Sequence, residues 1–111
     1  MTGFSAAVCA VIDERSGRIC EVCDVGKATQ RHHRRPRQAG GSKRDDTNTP
    51  QNCLHLCHHC HSLIEHNRSL GYLMGWLLSQ NVIPDMERVM YRGEWKLLGP
   101  DGGVEQWEMA A

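Results

Sequence analysis

Two Cys-x-x-Cys pairs, Cys20/Cys23 and Cys57/Cys60, are separated by 33 intervening residues and constrain this chain more than any other feature. A Cys-x-x-Cys turn places two sulfurs on one side of an ion, and two such turns complete the tetrahedron that zinc prefers. The spacing predicts one structural zinc site with Cys20, Cys23, Cys57 and Cys60 as ligands. Disulfides or free thiols are the competing readings. A length of 111 residues fits one domain. Three Trp, two Tyr and one Phe are few for a core, and a domain this small often needs a metal or disulfides to hold it together. The chain shows no basic leader before the apolar residues 4–12 and no apolar run long enough to span a membrane. The expectation is a reducing cytoplasm, where such cysteine pairs bind metal rather than oxidise. A thioredoxin-like role would need a βαβ pattern, which is absent. Cys9 and Cys53 have no partner at ligand spacing, although His55 is near Cys53, and read as core residues.

The formal charge is zero, with 13 basic and 13 acidic residues, but the distribution is uneven. Between Arg15 and Arg44 lie nine Lys/Arg and two acids, a local +7, whereas the residues from Asn81 onward carry a local −3. A concentrated basic stretch is the electrostatic footprint of a polyanion partner, and its bland counterpart is a solvated charged loop.

Apolar residues at 4, 8, 11 and 12 have helical spacing, with Ser5 as N-cap and Gly17 at the C-terminal end. Residues 19–26 read as a tight turn, and residues 28–33 as a short strand. Residues 34–52, with two Pro, Gly40-Gly41 and Asp45-Asp46, read as an irregular loop. A second strand is expected at 53–56 and a helix at 58–67, with Cys60, Leu63, Ile64 and Asn67 on one face and His61, Glu65 and Arg68 on another. A short helix to about residue 74 follows. The last third reads as β-rich: a strand at 75–78, a hairpin of 89–91 and 94–98 around Arg92-Gly93, and a returning strand at 104–107.

Seven His are present, two beside the basic loop and five around the second cysteine pair. His55, His58, His59 and His66 read as exposed or hydrogen-bonded side chains. His32, His33 and His61 stand in a recognisable setting: CEVC at 20–23, HHRRPR at 32–37 followed by GG at 40–41, and NCLHLCHHCHSLIEHNR at 52–68. This set resembles the HNH (ββα-metal) endonucleases, and in particular the small HNH proteins encoded by tailed phages. Gly75-Trp76 and Trp95 match the tail of those proteins, so the resemblance covers most of residues 20–100.

The resemblance implies a small α+β fold: a ββα-metal core with the four-cysteine zinc, an N-terminal helix and a β-rich C-terminal extension. Residues 1–111 would form a single domain, with 18–68 as zinc knuckle and catalytic core and 69–111 as the extension. It also implies roles. His33 is the general base, His32 and His61 are ligands of a catalytic divalent metal, and Asn52 orients the loop by hydrogen bonds. Glu65, one turn beyond His61, is either a third ligand or a surface carboxylate. The catalytic ion is Mg, Mn, Ni or Zn. An imidazole titrating near neutrality suits a general base, and a divalent ion suits the charge of phosphodiester hydrolysis. Arg34, Arg35, Arg37 and Arg68 are expected on phosphate, because guanidinium groups pair well with it. The implied activity is DNA cleavage, by nicking or double-strand breaks, leaving 5′-phosphate and 3′-hydroxyl ends. Phage DNA processing would put it in the host cytoplasm with terminase or packaging proteins as partners. The competing reading is a non-catalytic, zinc-stabilised nucleic-acid-binding or terminase-associated module.

Overall fold

The computed structural model describes residues 3–36 and 44–108. Helix α1 spans Ala6–Ser16. It starts where Ser5 turns extended and its side chain accepts from the Val8 amide, and it ends at Gly17, whose φ of 63° is the left-handed cap glycine adopts without strain. A tight turn follows, closed by an isolated bridge between Ile19 and Lys27.

Strands β1 (Gln30–His33) and β2 (Cys53–Leu56) pair antiparallel, with His32 opposite Leu54 and His33 opposite Cys53. The intervening segment carries a 3-10 turn at Pro50–Asn52. Helix α2 (His58–His66) leaves β2 directly, and α3 (Arg68–Leu73) follows. The face of α2 predicted to be apolar buries Cys60 and Ile64. A second, three-stranded antiparallel sheet is made of β3 (Val89–Tyr91), β4 (Glu94–Leu98) and β5 (Val104–Gln106) in sequence order.

The core lies between the hairpin, α2 and the C-terminal sheet. Leu54, Leu56, Ile64, Trp76, Leu77, Val89, Tyr91 and Leu98 pack around Cys20, Cys57 and Cys60. Residues 75–78 are buried but form no strand, contrary to the sequence expectation. Their amides bond irregularly instead: Trp76 and Leu77 donate to the Gly71 carbonyl and Leu78 to that of Arg34. Apolar residues on every side made this run strand-like, but it is a packed connection (periodicity cannot separate the two). Gly75 has φ 73°, and a Cβ there would meet the Arg88 carbonyl oxygen at 2.1 Å, so only glycine fits.

A buried polar network holds the halves together. Glu21, fully buried, accepts from Arg15 Nε and Nη2 at 2.7 and 2.8 Å, from the Tyr91 hydroxyl at 2.6 Å and from the His55 amide at 2.7 Å. Arg15 also donates to the carbonyls of Pro50 and Cys53. With its charge paired and both carboxylate oxygens used, Glu21 joins α1, the knuckle, β2 and β3 at one point. Among the described residues, no helix is long and apolar enough to cross a membrane.

Candidate metal centres

The knuckle and the start of α2 bring Cys20, Cys23, Cys57 and Cys60 together, with one sulfur from each within 4.8 Å of the others. Cys23 is the one exposed member. Backbone amides point at the sulfurs: Val22 at Cys20 (3.5 Å), Gly26 at Cys23 (3.4 Å) and Cys60 at Cys57 (3.4 Å). These contacts favour thiolate, and amides of Gly26 and Val25 bring the Cys23 thiol down to about 6. Burial pushes the Cys20 and Cys60 thiols up, so a cluster of several thiolates needs a cation to be stable. Gly26 lies against the site: a Cβ would sit 2.9 Å from Cys57 Cβ and 3.1 Å from its sulfur. All six cysteines are free thiols, and the Cys23 and Cys57 sulfurs are 3.9 Å apart, far from disulfide bonding. Four soft donors converging from two turns fit a metal ion such as zinc.

A second group of potential metal ligands forms where β1 meets α2. His32, His61 and Glu65 each offer one donor atom, all within 4.8 Å of one another. His61 and Glu65 share a face of α2 at i and i+4, with Nε2 and Oε1 3.8 Å apart. The His32 and His61 rings meet edge-on at 5.5 Å. His32 is buried, and its Nε2 lies 2.8 Å from the Trp76 carbonyl. A carbonyl only accepts, so Nε2 carries the proton and Nδ1 holds the lone pair. Burial brings the His32 pKa down to about 4, which keeps the ring neutral at pH 7, the form that binds a cation. The site is thus backed by the core on the His32 side and reaches solvent through Glu65 and His61.

His33 is outside this group. It closes strand β1, with its ring stacked on Phe4 at 4.2 Å and 14° and its Nε2 2.8 Å from Asn48 Oδ1. Neither Phe4 nor Asn48 was singled out in the sequence. The helical spacing includes Phe4, and Asn48 lies in the loop read at 34–52, but neither pattern links them to His33. Asn52 is fully buried. Its Oδ1 accepts from the Arg35 amide (2.8 Å), and its Nδ2 donates to the carbonyls of Thr47 (2.8 Å) and Arg35 (3.2 Å). It therefore clasps both ends of the segment between the strands.

Arg34 and Arg35 require a correction, because both point inward instead of lying open to phosphate. Arg34 is 0% exposed and donates to four carbonyls, those of Gly75, Gln51, Pro84 and Glu87. Arg35 is 1% exposed, donates to the Val82 carbonyl at 2.8 Å and pairs with Asp46. Desolvation brings Arg34 down to about 9, still a cation at neutral pH, and its carbonyl partners explain why it tolerates burial without a carboxylate. Arg37 lies outside the described residues. Arg68 is exposed, 3.7 Å from Glu65 and therefore beside the second cluster. His58, His59 and His66 are exposed, whereas His55 is buried with Nδ1 2.8 Å from the Ser16 hydroxyl. Cys53 is fully buried and Cys9 partly so.

In comparisons with known proteins, no family model matches the chain, and no significant match is found among curated proteins or solved structures.

Proposed function

We propose that this chain is a metal-dependent DNA endonuclease of the HNH type, hydrolysing phosphodiester bonds to 5′-phosphate and 3′-hydroxyl ends. One observation carries the reading: an antiparallel hairpin running into a helix brings the donor atoms of His32, His61 and Glu65 within 4.8 Å, with His33 next to His32 at the strand end. Two neutral imidazoles and one carboxylate form a partial ligand set, which leaves positions for water and phosphate. A divalent ion bound there would stabilise charge on the phosphoryl group and the departing 3′ oxygen. His33 takes the proton of the attacking water at a ring nitrogen. Asn52 holds the loop that follows His33, and Arg68 meets the DNA backbone from the adjoining helix. The four-cysteine zinc holds the knuckle to α2 and takes no part in the chemistry. This arrangement leaves Arg34 and Arg35 as supports beneath the site.

The test incubates full-length protein and supercoiled plasmid with Mg, Mn, Ni, Zn or a chelator, beside His33→Ala. Metal-dependent nicking that falls at least ~100-fold in the variant is the expected result. Protein that binds DNA but cuts with no metal would replace this reading with a non-catalytic, zinc-stabilised module, including one that serves a packaging terminase.

A further inference from the structure

We infer that Asn48 and Phe4 are positioning residues for His33: Asn48 selects the tautomer of its imidazole, and Phe4 fixes the plane of the ring. The inference rests on the endonuclease reading above and adds to it two side chains far from His33 in the sequence. His33 is the last residue of β1, opposite Cys53; sheet pairing sets its backbone, and side-chain contacts hold the ring. Asn48 and Phe4 both make such contacts. Nε2 lies 2.8 Å from Asn48 Oδ1, and an amide oxygen only accepts, so the ring proton is on Nε2. A neutral imidazole with its proton on Nε2 carries its basic lone pair on Nδ1. Phe4 lies face-on at 4.2 Å with planes 14° apart, which blocks one face of the ring and prevents it from swinging about χ2.

Both partners are themselves held. Phe4 directly precedes the N-cap of α1, and its carbonyl accepts from the Cys9 thiol at 3.8 Å. Asn48 lies in the turn whose neighbour Thr47 is buried with its carbonyl on Asn52 Nδ2. The Asn52 clasp therefore has a consequence beyond loop shape, because it sets where Asn48 stands. Phe4 thereby ties the start of α1 to the end of β1.

The test uses zinc-loaded, full-length protein and three variants: Asn48→Leu, which keeps size and removes the acceptor, Asn48→Asp, which keeps an acceptor, and Phe4→Leu. Nitrogen NMR of the His33 ring reports its tautomer directly. The wild type and Asn48→Asp should show the Nε2–H form, and Asn48→Leu should show mixed tautomers. Under saturating metal, Asn48→Leu should lower kcat about 10- to 100-fold with little change in KM, and Asn48→Asp should restore most of it. Phe4→Leu should lower kcat by a smaller factor while leaving the tautomer unchanged. An unchanged tautomer in Asn48→Leu overturns the inference whatever the activity. If the wild type shows the expected tautomer but cuts DNA with no metal, the endonuclease reading fails. The two contacts then hold a structural histidine, and their catalytic role falls with it.

Discussion

The molecule gathers potential metal ligands in two places, and they are built differently. The cysteine group is chemically uniform, mostly buried and supported by backbone amides that point at sulfur. The histidine group is chemically mixed, with a buried His32, a half-exposed His61 and an exposed Glu65. One closes around an ion from two turns; the other holds donors on one side and leaves the rest to solvent. A site that surrounds its ion supplies folding energy, and a site that leaves positions open can admit a reactant. On the proposed reading, the first place supplies stability and the second chemistry.

The strongest challenge to that division is Cys57→Ser. Cys57 is also the N-cap of α2, where its sulfur accepts from the Cys60 amide, and serine is itself a favoured cap. The substitution thus removes a ligand while sparing the cap. Structural zinc in comparable small modules is worth ~10–16 kcal/mol of apparent binding energy, so the variant, like chelated wild type, should lose cooperative unfolding. Unchanged melting with unchanged zinc content would end the structural assignment.

Arg34→Met comes next in size. It would strip donors from four carbonyls in the interior, at a cost of at least ~3 kcal/mol in urea unfolding. It should also disturb the histidine site: Arg34 grips the Gly75 carbonyl, and the carbonyl of the next residue, Trp76, orients His32. A variant of native stability would mean that the floor of the site is held by something else.

His61→Ala should separate the two places cleanly. Stability should stay within about 1 kcal/mol, since the side chain is only half-buried, while cleavage falls at least ~100-fold. A large drop in melting temperature would show that the second group is structural too. Arg68→Gln should have a milder effect, reducing the salt slope of DNA binding by about 1, whereas an unchanged slope would remove it from the interface.

The smallest effect concerns the support beneath the histidine site. Hydrogen bonding to Arg35 holds the Asp46 carboxyl below its ordinary 3.8. A depressed carboxyl stabilises the fold above the ordinary value, and that contribution is lost as pH falls through the lower, folded one. Asp46→Asn should therefore cost about 1 kcal/mol near neutrality, a value kept small because Asp46 is partly exposed, and the deficit should shrink toward zero in acid. A deficit independent of pH would assign the effect to packing instead.

Much of this was legible along the chain because it is local. The caps Ser5 and Gly17, the hairpin around Arg92-Gly93, strand β2 and the pairing of His61 with Glu65 on one helix face all follow from residues within a turn or two of each other. Reading failed where identity had to stand in for environment. Arg34 and Arg35 look like neighbours in a basic loop, yet charge alone says nothing about which way a side chain points. Residues 75–78 look like a strand because burial on all sides erases the periodicity that would tell strand from packed loop.

The sequence by itself determined the two cysteine turns and the His61/Glu65 pair, since Cys-x-x-Cys turns and an i, i+4 pair are short-range geometry that the peptide backbone enforces, whereas His32 was placed beside them only by the family resemblance. The small α+β fold was legible in the same way, from the hairpin and helix patterns around them. Only the tertiary structure decided which cations face inward, which carbonyl orients His32, and that Phe4 and Asn48 meet at His33. Those contacts join residues from 11 to 53 positions apart. Their formation depends on how the packed elements exclude water, and no local pattern encodes that.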